Sequence, residues 1–151
     1  MLNRRDVLLV SVAALAAGPS CAAQASPSIK VYKDASCGCC TVWVDRLKAA
    51  GFKTEIDESQ DMAAIKAKYG VPDDLTSCHT GVAGGYAIEG HVPPADIKRL
   101  LKTKPKALGI AVPGMPVNSP GMEVPGKPDE PYTVWLYAKD GTRKAFAKHG
   151  S

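Results

Sequence analysis

The chain has 151 residues and a mass of 15.9 kDa, with 45% hydrophobic and 23% charged side chains. That is enough apolar material for one packed domain, too short for a TIM barrel and too apolar for disorder throughout. The net charge of +4 is mild, and its densest run, Lys98 to Lys106, has no interleaved aromatic residue. The run therefore reads as the solvated end of a helix, and no nucleic-acid partner is expected.

In chain order, Arg4-Arg5 and the apolar stretch Val7 to Ala17 come first, followed by small residues ending in Ala23-Gln24-Ala25. A charged start, a short apolar centre and an A-x-A-like site form the pattern of an export signal over residues 1–25, with the working domain over 26–151. The apolar stretch is about 11 residues, too short to span a bilayer, so the mature chain is expected to have no membrane span. The paired arginines resemble a twin-arginine signal. Cys21 offers a minor lipoprotein alternative, although Gly18-Pro19-Ser20 before it lacks the leucine of a lipid-attachment box. Export places the mature chain in the periplasm, an oxidising compartment.

Ile29 to Tyr32 alternates and reads as a strand. Trp43, Leu47 and Ala50, with Val44, mark an amphipathic helix from Cys39 to Ala50, closed by Gly51. A second strand is predicted over Phe52 to Ile56, and a short helix over Asp61 to Tyr69. Val82 to Ile88 reads as an interrupted strand or a small hairpin around Gly84-Gly85. Pro93-Pro94 opens a helix through Leu101. Thr103 to Pro131 holds seven of the 12 prolines and no apolar period, so a long loop is expected there. Tyr132 to Tyr137 and Arg143 to Ala147 form a C-terminal hairpin turned by Asp140-Gly141. The predicted fold class is α/β, a sandwich of helices on a mixed β-sheet.

Removal of residues 1–25 leaves Cys37, Cys39, Cys40 and Cys78. Three of these fall in the four positions Cys37-Gly38-Cys39-Cys40, after the first strand and at the start of the first helix. Free backbone N–H groups and the positive end of the helix dipole favour thiolates there. Cys37 and Cys40, three residues apart, share one helix face. Structural disulfides within so tight a cluster would close almost no loop and stabilise little. A strand–CxxC–helix unit in a chain of this size points to a thioredoxin-like fold. In that fold a cis-proline normally precedes the third strand and faces the CxxC; Cys78 occupies the place here, so four sulfurs would converge from two loops.

With Ser77-Cys78-His79-Thr80, Gly84-Gly85-Tyr86, Glu89-Gly90-His91-Val92-Pro93, Val112 to Pro116 and Ser119 to Glu123, the cysteine cluster completes a set that resembles the CopG type. These are small exported bacterial metal-binding proteins associated with copper resistance. The resemblance covers nearly all of the mature chain. It implies a thioredoxin-like domain and copper held by Cys37, Cys39, Cys40 and Cys78.

Charge favours copper independently. Four thiolates around one Zn²⁺ leave −2, and adjacent Cys39 and Cys40, about 100° apart on a helix, fit one tetrahedron poorly. Several bridged Cu(I) ions would bring the charge toward zero and relax that geometry. The reading is a polynuclear Cu(I)–thiolate site, with zinc as the fallback.

His79, beside Cys78, is a candidate ligand or thiolate partner. Met115 and Met122, in the proline-rich loop, are candidate thioether ligands or core caps. His91 reads as a satisfied turn histidine, His149 as solvated, and Glu89 and Glu123 as surface or turn residues. Trp43 and Trp135 are expected on opposite sides of the sheet.

Two functions compete. One is a copper-binding protein that sequesters Cu(I) or passes it to another periplasmic copper-handling protein, with no catalytic residue assigned. The other is an exported thiol–disulfide oxidoreductase using Cys37 and Cys40. A hybrid, with thiol- or copper-based redox activity, is compatible with the same residues.

Overall fold

The computed structural model describes residues 26–58 and 61–150, so the export-signal reading of residues 1–25 and the Cys21 alternative lie outside the described residues. Strand β1 (Ser28–Lys33) feeds α1 (Gly38–Ala49), and the chain returns through β2 (Lys53–Glu58), parallel to β1. β2 is the sheet edge and presents Lys53, Glu55 and Glu58 to solvent, charges that oppose pairing with another chain.

Helix α2 (Met62–Lys68) is capped by Asp61, whose carboxylate accepts the Ala64 N–H at 2.9 Å. A 3₁₀ turn at Asp73–Leu75 precedes the hairpin of β3 (His79–Ala83) and β4 (Tyr86–Glu89). Helix α3 (Pro94–Thr103) carries proline in its first turn, where the missing N–H costs nothing. Its end, with Lys98, Arg99, Lys102 and Lys104 exposed, is the solvated terminus that the sequence predicts.

The predicted long loop contains one strand, β5 (Gly109–Ala111), parallel to β4. Three residues are too few to display a period. The final hairpin is β6 (Tyr132–Tyr137) and β7 (Arg143–His149), with a bulge at Val134/Trp135. Sheet order is β2-β1-β3-β4-β5-β6-β7, with parallel and antiparallel neighbours mixed. This is the α/β sandwich with a C-terminal hairpin expected from the sequence.

Strand alternation divides the core between the two faces. Ile29, Val31, Ile88, Ile110 and Val134 pack with Trp43, Val44 and Leu47 of α1 and Ile97 and Leu100 of α3. Ala87, Ala111 and Tyr137 point the other way, toward Val71 and Leu75, with Trp135 against that cluster. Trp43 and Trp135 thus lie on opposite faces, as expected. His149 corrects its solvated reading: its Nε2 pairs with the buried Asp96 carboxylate at 2.7 Å, and its ring stacks on Tyr132. No helix among the described residues is long and apolar enough to cross a membrane.

Candidate metal centre

The first half of the site is the start of α1. The Asp34 carboxylate accepts the Ser36 N–H at 2.8 Å and the Ser36 hydroxyl at 2.5 Å, and the Cys37 N–H bonds to the Asp34 carbonyl. This Asx turn delivers Cys37 to the N-cap position, where its side chain makes no capping bond. Cys37 and Cys40 are joined in a disulfide with Cα atoms 5.5 Å apart, and Cys39 is free. Cys40 is buried, whereas Cys37 and Cys39 are half-buried. The Cys39 sulfur lies 3.5 Å from the Cys37 sulfur.

The second half comes from the β3–β4 hairpin. Cys78, just before β3, brings its sulfur to 3.9 Å from the Cys39 sulfur. His91 reads in the sequence as a turn residue; the structure buries it fully, with Nε2 3.3 Å from the Cys78 sulfur. The opposite ring nitrogen, Nδ1, lies 2.9 Å from the Pro120 carbonyl. A carbonyl only accepts, so Nδ1 carries the proton and the Nε2 lone pair faces the sulfur.

His79 is also fully buried. Its Nδ1 lies 3.3 Å from the same sulfur, and its Nε2 has no hydrogen-bond partner. The Trp43 ring lies against it at 4.2 Å and is itself fixed by an Nε1–H bond to the Val92 carbonyl at 2.9 Å.

Cys78 is therefore shared by two donor groups. One is Cys37, Cys39, Cys40 and Cys78; the other is Cys78, His79 and His91; within each, the donor atoms lie within 4.8 Å of one another. Burial drives the pKa of both histidines down, with His91 and Lys66 adding to the effect at His79. Both imidazoles are neutral at pH 7, the form that binds a metal.

Burial, with Cys39 alongside, pushes the free Cys78 thiol up to about 11. The helix-start argument for thiolates applies to Cys37, Cys39 and Cys40 and does not extend to Cys78. Cys78 does not sit at a helix N-terminus, and its buried thiol keeps its proton near neutral pH.

The proline-rich segment forms a strap that packs against the first turn of α1 and against Ser77. At Gly121, with φ +92°, a Cβ would stand 2.9 Å from the Trp43 backbone nitrogen and 3.1 Å from the Cys39 carbonyl oxygen, so only glycine permits the contact. Glu123 fastens the strap, accepting from Arg46 Nε at 2.9 Å and from the Gly121 N–H at 3.0 Å. Met122, half-buried, lies between these anchors. Met115, 52% exposed, follows Gly114, whose carbonyl accepts the Ser77 hydroxyl at 2.6 Å. Each candidate methionine thus follows a glycine that touches a cysteine-bearing segment, Met115 after Gly114 and Met122 after Gly121. Sulfur and neutral imidazole form a soft donor set, suited to a thiophilic metal ion.

Residues 75–122 match a family model described as a protein of unknown function, DUF411. That stretch runs from the approach to Cys78 through the strap to Met122. Two solved structures of a copper resistance protein CopG, forms 2 and 1, are each 44% identical to this chain. Each alignment covers 82% of this chain and 98% of the other, with TM-scores of 0.78 and 0.77. The chain belongs to the CopG family of copper resistance proteins. No significant match is found among curated proteins. The CopG likeness spans nearly the whole of the solved chains, so the family resemblance seen in the sequence motifs extends to the three-dimensional fold.

Proposed function

We propose that this CopG-family protein binds Cu(I) in the periplasm, in a polynuclear site built on Cys37, Cys39, Cys40 and Cys78, and supports copper resistance or homeostasis. The observation that carries the reading is the convergence of Cys78 with the cysteine cluster on one side and with two buried, neutral histidines on the other. Four sulfurs and two imidazoles exceed what one tetrahedral ion needs, which favours several bridged ions over a single Zn²⁺. His79 and His91 supply nitrogen donors at the inner wall, and Met115 and Met122 supply thioethers from the strap. The order β2-β1-β3-β4, with only β3 reversed among these four, supports the thioredoxin-like reading of the domain. Bound Cu(I) would be held for storage or passed to another periplasmic copper-handling protein.

The Cys37–Cys40 disulfide favours a second reading, the exported oxidoreductase. It also sets a condition on the first. Reduction by two electrons and two protons must cleave the S–S bond before those sulfurs become ligands.

The test is anaerobic preparation of the reduced chain, loading with Cu(I), elemental analysis and thiol counting. More than one copper per chain is expected, with all four cysteines protected from alkylation. The air-oxidised sample should contain the Cys37–Cys40 bond, take up less copper and regain full uptake after reduction. A preparation that binds one Zn²⁺ and no copper would replace copper by zinc. One that binds neither metal but turns over disulfides would promote the oxidoreductase.

Export is tested separately by N-terminal sequencing of the periplasmic fraction. A start near Ser26 is expected; Met1 retained in a cytoplasmic product would refute it, and a lipid-modified Cys21 would establish the lipoprotein form.

A further inference from the structure

Glu89 looks in the sequence like a surface or turn residue, yet it is fully buried at the end of β4. Both of its oxygens are engaged. Oε1 accepts the Ser77 backbone N–H at 2.6 Å and the Lys66 ammonium at 2.5 Å; Oε2 accepts the Thr80 hydroxyl at 2.6 Å. Lys66 also donates to the Thr80 hydroxyl oxygen at 3.2 Å. One carboxylate therefore grips the chain immediately before Cys78 and immediately after His79.

The chain leaves β4 through Gly90, whose N–H bonds to the His79 carbonyl at 3.0 Å, and reaches His91. At Gly90, with φ +72°, a Cβ would lie 2.4 Å from the Val112 carbonyl and 2.7 Å from the Ser77 Cβ. The two chain segments are thus pressed together with no room for a side chain. Burying an ion pair is costly, and an apolar pair of similar volume often serves a core as well. What the carboxylate provides that an apolar side chain cannot is a directed hold on Ser77 and Thr80.

We infer that Glu89 is a positioning residue, which fixes the Ser77–Thr80 segment so that the Cys78 sulfur faces both Cys39 and His91. The inference rests on Cys78 being a metal ligand for its functional meaning, but its test needs no metal.

In the metal-free full chain with Cys37–Cys40 oxidised, Cys39 and Cys78 are the free thiols of the site. Cys39, on α1, serves as an internal reference. Alkylation would be followed residue by residue by peptide mapping, which also separates Cys21. Glu89→Gln keeps the side-chain shape but replaces one accepting oxygen by an NH₂ group, so Ser77 and Thr80 cannot both be held as before. The ratio of Cys78 to Cys39 alkylation rates is expected to rise at least about fivefold with the circular dichroism spectrum unchanged. Thr80→Val removes one grip without removing the buried charge and should raise the ratio in the same direction by less; it also serves as the probe if Glu89→Gln does not fold.

An unchanged ratio in a folded variant, or an equal acceleration at both cysteines, would overturn the inference. A companion measurement joins it to copper. Glu89→Gln should weaken Cu(I) binding in the native background and add nothing when Cys78→Ser is already present. Additive losses would show that Glu89 does not act through Cys78. A Cys78→Ser chain with native copper affinity would instead refute the ligand reading while leaving the alkylation result standing.

Discussion

Replacing Cys78 by serine is expected to weaken Cu(I) binding at least about tenfold, or ~1.4 kcal/mol. Its sulfur is the atom common to both donor groups, 3.9 Å from the Cys39 sulfur and 3.3 Å from nitrogens of His79 and His91. A serine hydroxyl is a hard, protonated donor and cannot bridge soft ions. The oxidoreductase reading gives the opposite expectation, because Cys37 and Cys40 already form its redox pair. Under that reading Cys78→Ser leaves disulfide exchange largely intact. Competition against a Cu(I) chelator, run beside an insulin-reduction assay, separates the two. Native copper affinity, together with exchange activity that disappears in Cys37→Ser, would transfer the assignment to the oxidoreductase.

Trp43→Ala is expected to cost about 3–5 kcal/mol of folding stability, in the range of large-to-small core substitutions of aromatic residues. Trp43 is completely buried, anchors the α1 face of the core and donates to the Val92 carbonyl, which would lose its partner. For a domain of this size the melting temperature should fall by roughly 10 °C. Thermal unfolding of the metal-free, reduced chain measures it; a loss below about 1 kcal/mol would show that the core closes around the vacancy. The same substitution strips His79 of the ring that lies against it at 4.2 Å, so the surviving folded fraction should also bind Cu(I) less tightly.

Much of the frame was legible because it is local. Val31 lies within a strand and Leu47 within a helix of the expected kind, and Cys37 to Cys40 fall at the helix start, since each depends on neighbours within one turn or one strand. The position of His91 follows from local pairing as well. A hairpin around Gly84-Gly85 pairs Thr80 with Glu89, and the same register continued outward sets Cys78 opposite His91. Its place at the turn into α3 marks His91 as a turn residue, whereas hairpin register makes it a neighbour of the cysteine. Strand β5 is not legible for a different reason: Gly109–Ala111 owes its conformation to the strands beside it, with no periodic pattern of its own.

By itself, then, the sequence determined the cysteine-bearing helix start, the α/β class, the closing hairpin and the candidate donor types, all of which follow from spacing and side-chain chemistry. Tertiary structure alone decided how the histidines are turned and in what protonation state the donors meet. His91 is turned by the Pro120 carbonyl, 29 residues away, so that a lone pair faces Cys78. Glu89 is buried because Lys66 from α2, Ser77 from the approach to β3 and Thr80 within β3 satisfy it. Cys78 holds its proton because packing removes water from around its sulfur. Such long-range hydrogen bonds and desolvation depend on the folded chain's geometry, and a linear pattern of residues does not encode them in any local window.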